Sequence, residues 1–201
     1  MLGVYRISAF NAGCMPPQPT QFQSTPLALR MSPPPRADSI RPKGHLMNSV
    51  LAAATGAGQF QVRIDTGDHN FLVDEPVDYG GLGSGPSPFD LLCAALSACT
   101  LMTMKLYATR KGWDINGLNV RTSHQKGSAD QRDRFDRIIE MGSANEEQRQ
   151  ALLKIAERCP VDLLLERGAD VGAKIAIDAL PEAVPDVMHA QEIDDLCREA
   201  S

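Results

Sequence analysis

Two cysteines have surroundings that suit thiol chemistry. Cys99 lies in the middle of an uncharged stretch, flanked by the small residues Ser97, Ala98 and Thr100. Small neighbours leave room for another segment, or a small molecule, to approach the sulfur. Cys159 stands immediately before Pro160. With Pro160 opening a helical piece, Cys159 takes an N-cap-like position, where backbone N–H groups stabilise a thiolate and depress its pKa. Such thiolates act as nucleophiles, oxidise to sulfenic acid and close disulfides. A cysteine on an apolar helix face is more often a small packing residue, so these residues alone leave both readings open. Cys93, six residues before Cys99, is about 120° away on a helix and reads as core. Cys14 and Cys197 read as bystanders. His69 and His124 fall at strand ends with no second ligand at metal spacing. His69 reads as structural at a hairpin, and His124 is left unassigned.

The element that must carry Cys99 runs from Ser84 to Arg110. There is no charge from Leu91 to Met104, about four turns, short of the roughly 20 apolar residues that cross a bilayer. A helix apolar all round belongs inside a core. Ser87 is an N-cap, Pro88 suits the first helical position, and Asp90 suits the positive end of the dipole. Gly112 is a stop. Before it, alternation over Phe60–Asp65, a Thr66-Gly67-Asp68 turn and His69–Val73 predict a hairpin, with Val50–Ala54 adding a strand. After it, Leu118–His124 and Phe135–Met141 predict an antiparallel pair. Ser143 and Glu146 form a capping box for the helix that places Leu152, Ile155, Ala156 and Cys159 on one face. Val161–Glu166 continues as a further helical piece, Lys174–Ile177 reads as a last strand, and a weak helix spans Ala190–Arg198. Helices against antiparallel strands make an α+β domain.

Three regions differ in composition. Residues 1–46 hold eight of the fourteen prolines and five basic residues against one acid. They read as a disordered leader, or as sequence upstream of a start at Met47. They contain no continuous apolar run of the secretory type. Residues 47–180 read as the folded domain and 181–201 as an acidic tail. The net charge of −5 implies neither nucleic acid nor anionic membrane as a partner. Five scattered cysteines without a C-x-x-C pair argue against a disulfide scaffold and a zinc ribbon, and for a reducing, cytoplasmic setting.

The run Pro86-Ser87-Pro88-Phe89-Asp90-Leu91-Leu92 leads into Ala94-Ala95-Leu96-Ser97-Ala98-Cys99-Thr100. Sixty residues after Cys99 comes Ala156-Glu157-Arg158-Cys159-Pro160-Val161. Together with the His69…Asp74-Glu75-Pro76…Gly80-Gly81 approach and Lys111-Gly112-Trp113, this resembles the OsmC/Ohr family of osmotically inducible and organic hydroperoxide resistance proteins. The match covers about residues 50–178.

The resemblance implies an intertwined homodimer in which two central helices pack against curved, mostly antiparallel sheets. It also implies a thiol-dependent peroxidase acting on organic hydroperoxides or hydrogen peroxide. Cys99 would attack the peroxide and become a sulfenic acid, and Cys159 would condense with it to a disulfide. An external dithiol, in the family a dihydrolipoyl group, would then reduce that disulfide, with no metal or bound cofactor. The local cap argument instead favours Cys159 as the more acidic thiol. One departure matters: the family's peroxidases have Glu ten residues before the first cysteine, paired with an early-strand Arg. Here that position is Phe89 and the acid is Asp90, about 180° round a straight helix from Cys99. Asp90 and Arg63 are therefore the weaker, supporting candidates. The rival class is a non-enzymatic dimer that binds an apolar ligand in the same cleft, or a redox sensor. Nothing in the sequence has a DNA-binding pattern.

Overall fold

The computed structural model describes residues 48–186 and 188–200. The leader reading falls on residues outside this range. Three short strands, β1 (Leu51–Ala54), β2 (Val62–Asp65) and β3 (Asn70–Val73), form an antiparallel sheet in that order. A second sheet pairs β4 (Leu118–Gln125) with β5 (Arg134–Met141), antiparallel, in the register Leu118 opposite Met141. Among the described residues four α-helices complete the fold: α1 (Pro88–Arg110), α2 (Glu146–Ala156), α3 (Pro160–Arg167) and α4 (His189–Glu199). The α+β class read from the sequence is the observed one.

Helix α1 begins as its sequence dictates. The Ser87 hydroxyl accepts the Asp90 amide at 3.2 Å while the Asp90 carboxylate accepts the Ser87 amide at 3.0 Å, a reciprocal cap with Pro88 at the first helical position. At 23 residues it is longer than its uncharged run, and by length and mean hydropathy it is enough to cross a membrane. One face of it is packed into the core. Leu96, Cys99, Thr100, Thr103, Met104, Tyr107 and Ala108 are buried, and it lies against β4, α2, α3 and α4.

The glycine-rich approach to α1 folds closely over β3. A Cβ at Gly85 would lie 2.1 Å from the Leu72 carbonyl oxygen, so only glycine fits there. Asp74 organises this loop from inside. Its carboxylate accepts the Leu82 amide at 3.0 Å, the Ser84 amide at 3.2 Å and the Ser84 hydroxyl at 2.7 Å. Burial works against its charge. The bonds from Ser84, Glu75 and Leu82 more than offset that and hold its carboxyl below the usual range.

Three expectations are corrected. The cap of α2 is Asn145, which exchanges hydrogen bonds with Gln148. Ser143 instead accepts the Asn116 amide at 3.1 Å, so its hydroxyl is spent joining the segment after β5 to the segment before β4. Lys174–Ile177 is not a strand: Ile175 and Ile177 are 95% and 98% exposed and pair with no strand among the described residues. The acidic tail is not a separate appendage. Ile193, Leu196 and Cys197 of α4 join Met104, Tyr107 and Ala108 of α1 and Leu152, Ile155 and Ala156 of α2 in one buried cluster. Cys197, read as a bystander, is fully buried there, its sulfur 3.7 Å from the Thr103 carbonyl oxygen.

Candidate functional site

The corner between α2 and α3 faces the middle of α1. Cys159 caps α3 in extended backbone (φ −64°, ψ 147°) with Pro160 at the first helical position. Cys99, about three turns into α1, meets it. Leu96, Cys99 and Cys159 form a small buried cluster covered by Phe135, Val161 and Leu165. The two thiols are near enough for each to shift the other's ionisation. Both also face the positive end of α3. The Val161 amide donates to the Cys99 sulfur at 3.4 Å, and the Asp162 amide faces the Cys159 sulfur without a close bond.

A buried ion pair adjoins the thiols. Arg137 on β5 donates from Nη2 to Asp162 Oδ2 at 2.8 Å, and from Nη1 to the Ala156 carbonyl and to Thr100 Oγ1, each at 2.9 Å. Thr100 Oγ1 lies 3.5 Å from the Cys159 sulfur. The interaction with Cys99, the Thr100 hydroxyl, the facing Asp162 amide and the Arg137 charge outweigh burial and bring the Cys159 thiol down to about 6. The bond to Cys159 and burial push the Cys99 thiol up. Cys159 is therefore the more acidic thiol of the pair. A cavity of about 340 Å³ lies beside this site, lined by Leu96, Phe135, Arg137, Asp162 and Leu165 among others but by neither cysteine.

Of the residues read from the sequence, the structure brings Cys99 and Cys159 together. It does not bring Asp90 or Arg63 to them. Asp90 is an exposed member of the α1 cap, its carboxyl held low by the Ser87 amide and hydroxyl. Arg63 sits on β2 beside Ala53, Ala54 and Thr55. Phe89 stacks on His124 with ring centres 4.5 Å apart, and His124 packs on Phe135 at 4.8 Å while bonding Asp133 at 2.7 Å. His124 is thus separated from the thiol cluster by the Phe135 ring. The His69 carbonyl closes the β2–β3 turn by accepting the Thr66 amide at 2.9 Å. No group of three or more His, Cys, Asp or Glu residues suited to a metal ion occurs among the described residues.

Arg137, Thr100 and Asp162 were missed as site residues. The signal was available for Arg137. It falls in the inward phase of β5 with Phe135, Ile139 and Met141, where an apolar residue is the norm. Asp162 is the third residue of a helix capped by a thiol, a position that reads equally well as a first-turn acid on the dipole.

Residues 81–174 match the model of the family described as OsmC-like protein. No curated protein sequence matches this chain. Among solved structures, an osmotic stress induced and detoxification response protein of Psychrobacter arcticus superposes with a TM-score of 0.51 at 21% identity, over 62% of this chain and 90% of that one. An organic hydroperoxide resistance protein OsmC of Legionella pneumophila gives 0.47 at 17% identity, over 61% and 91%. The organic hydroperoxide resistance protein OhrB of Bacillus subtilis gives 0.44 at 21%, over 60% and 90%. The segment that holds both thiols and the ion pair beside them therefore matches the OsmC-like model, and the chain's α+β fold is similar to that of the Psychrobacter arcticus protein.

Proposed function

We propose that this protein is a thiol-dependent peroxidase that reduces organic hydroperoxides or hydrogen peroxide through Cys99 and Cys159. The observation that carries the reading is the meeting of these two thiols, from separate elements, in one buried cluster. The thiolate of the pair attacks the distal peroxide oxygen. The O–O bond breaks, the alkoxide leaves and takes a proton to become the alcohol, and the attacking sulfur becomes a sulfenic acid. The second thiol displaces that oxygen as water, and an S–S bond forms. An external dithiol, such as a dihydrolipoyl group, reduces the disulfide by exchange and leaves oxidised. No resident cofactor enters this cycle.

The acting form is a homodimer, working where thiols are kept reduced, in the cytoplasm. Leu92 and Met102 of α1 are 44% and 54% exposed in the single chain, and the Lys174–Ile177 segment, which alternates in sequence, pairs with no strand among the described residues. A second copy supplies cover for both. The test is peroxide consumption with a supplied dithiol. Steady loss of cumene hydroperoxide, with stoichiometric dithiol oxidation, is expected. No consumption by the reduced protein would reject the reading in favour of a binding protein.

A further inference from the structure

A buried cation beside two thiols has a consequence for which sulfur holds the charge. Arg137 and Asp162 side chains are 15% and 12% exposed, so neither is well solvated. The guanidinium only donates. Its bond to the Ala156 carbonyl satisfies the end of α2, and its bond to Asp162 holds the first turn of α3. Cys159 lies between those two anchors, so the ion pair fixes the corner that presents its sulfur. The third bond goes to Thr100. A hydroxyl that accepts from Arg137 keeps its single hydrogen for the nearest other acceptor, the Cys159 sulfur.

We propose that the Arg137–Asp162 ion pair is the positioning device of the thiol site: Arg137 acts through Thr100 to keep the negative charge on Cys159, and Asp162 limits how strongly it does so. This rests on the dithiol reading above but is read out on the sulfurs themselves. Cation and carboxylate cancel, so the site with its thiolate carries one net negative charge. Removing the positive charge leaves Asp162 facing the thiolate. Removing the carboxylate charge leaves Arg137 to the thiolate alone. The two changes act in opposite directions, which a pair serving only to hold the fold does not do.

The other charged groups that line the cavity are Arg132, Asp133, Arg134 and Glu166. Arg132 donates to the Leu165 and Glu166 carbonyls. Arg134 pairs with Asp136, and Asp133 bonds His124. Arg134 and Asp136 are 70% and 49% exposed, so solvent screens them.

The experiment measures iodoacetamide alkylation of the reduced full-length protein against pH, with the label on Cys99 and Cys159 quantified separately by mass spectrometry. Arg137→Met is expected to raise the Cys159 midpoint by about one unit, a roughly tenfold loss of thiolate below that midpoint. Thr100→Val shifts it the same way. Asp162→Asn, which keeps the acceptor oxygen, lowers it. Arg137→Lys recovers part of the shift, since the charge returns without the fork. Thermal melts and circular dichroism of each variant report folding. Unchanged midpoints, or shifts of Arg137→Met and Asp162→Asn in the same direction, overturn the proposal. Opposed shifts without peroxide consumption sustain it and reject the peroxidase. Peroxide consumption without the shifts does the reverse.

Discussion

Leu196→Ala probes whether the C-terminal helix belongs to the domain. Leu196 is 8% exposed and packs with Ile193 and Cys197 against α1 and α2. Arg110 near the end of α1 ties the helix further, through its bonds to the Asp194 carboxylate and, at 2.7 Å, to the Asp194 carbonyl. Truncating a buried leucine costs about 2–5 kcal/mol. Leu196 is at the cluster's edge on a short helix that can settle inward, so the lower part of that range applies, about 2–3 kcal/mol. For a body of this size that is a Tm decrease of roughly 5–10 °C. The assay is thermal and urea unfolding of the reduced protein, with the exposed Gln191→Ala as control, expected within about 0.5 kcal/mol of wild type. Equal stabilities for Leu196→Ala and Gln191→Ala would show that α4 is not packed as described, and the reasoning from the buried cluster would fail.

Four further outcomes follow from the site and its supports. A dimedone-type reagent should trap sulfenic acid on Cys159 in the Cys99→Ser protein, where Thr100 and Arg137 still support the thiolate, and far less on Cys99 in Cys159→Ser. That is the reverse of the order the family resemblance implied, and label on Cys99 alone would restore it. Because the Cys159 pKa is depressed to about 6 from the ordinary thiol value of 9.0, its ionisation adds stability as pH rises from about 6 to about 9. Cys159→Ser should flatten that slope in urea titrations of the reduced protein. The Asp74 carboxyl is also held low, so its contribution is complete above pH 4 and is lost as pH falls through its depressed pKa. Asp74→Asn should weaken acid dependence in that window, as measured by unfolding at pH 2–5. Sedimentation of the wild type at low micromolar concentration should show a dimer, and Ile175→Asp with Ile177→Asp should shift it toward monomer. A folded wild-type monomer would contradict the proposed assembly.

How far the fold is legible depends on how local its causes are. The start of α1 is written in Ser87, Pro88 and Asp90, which meet within one turn, and the structure shows that cap. The strands follow from alternation, a property of neighbouring residues. The α2 cap was misread because two boxes overlap, Ser143 with Glu146 and Asn145 with Gln148. A contact from a distant loop residue, Asn116, decides between them. Lys174–Ile177 has a strand's alternation, but pairing requires another strand, and none among the described residues meets it. In α4 the spacing of Ile193, Leu196 and Cys197 was present within an acidic segment, and composition obscured it. The cysteines were legible from their motifs. Arg137 and Asp162 were not, because an ion pair between β5 and α3 exists only once both elements have packed on α1.

The most direct test of the central claim is intact-mass and peptide mapping of the reduced protein after one equivalent of cumene hydroperoxide. Each sulfur must then reach the other within the Cα separation of about 7 Å that a disulfide allows. The account predicts loss of two hydrogens per chain and a single cross-linked peptide pair joining Cys99 to Cys159, reversed by a dithiol. An unchanged mass, or oxidation confined to Cys14, Cys93 or Cys197, would contradict it.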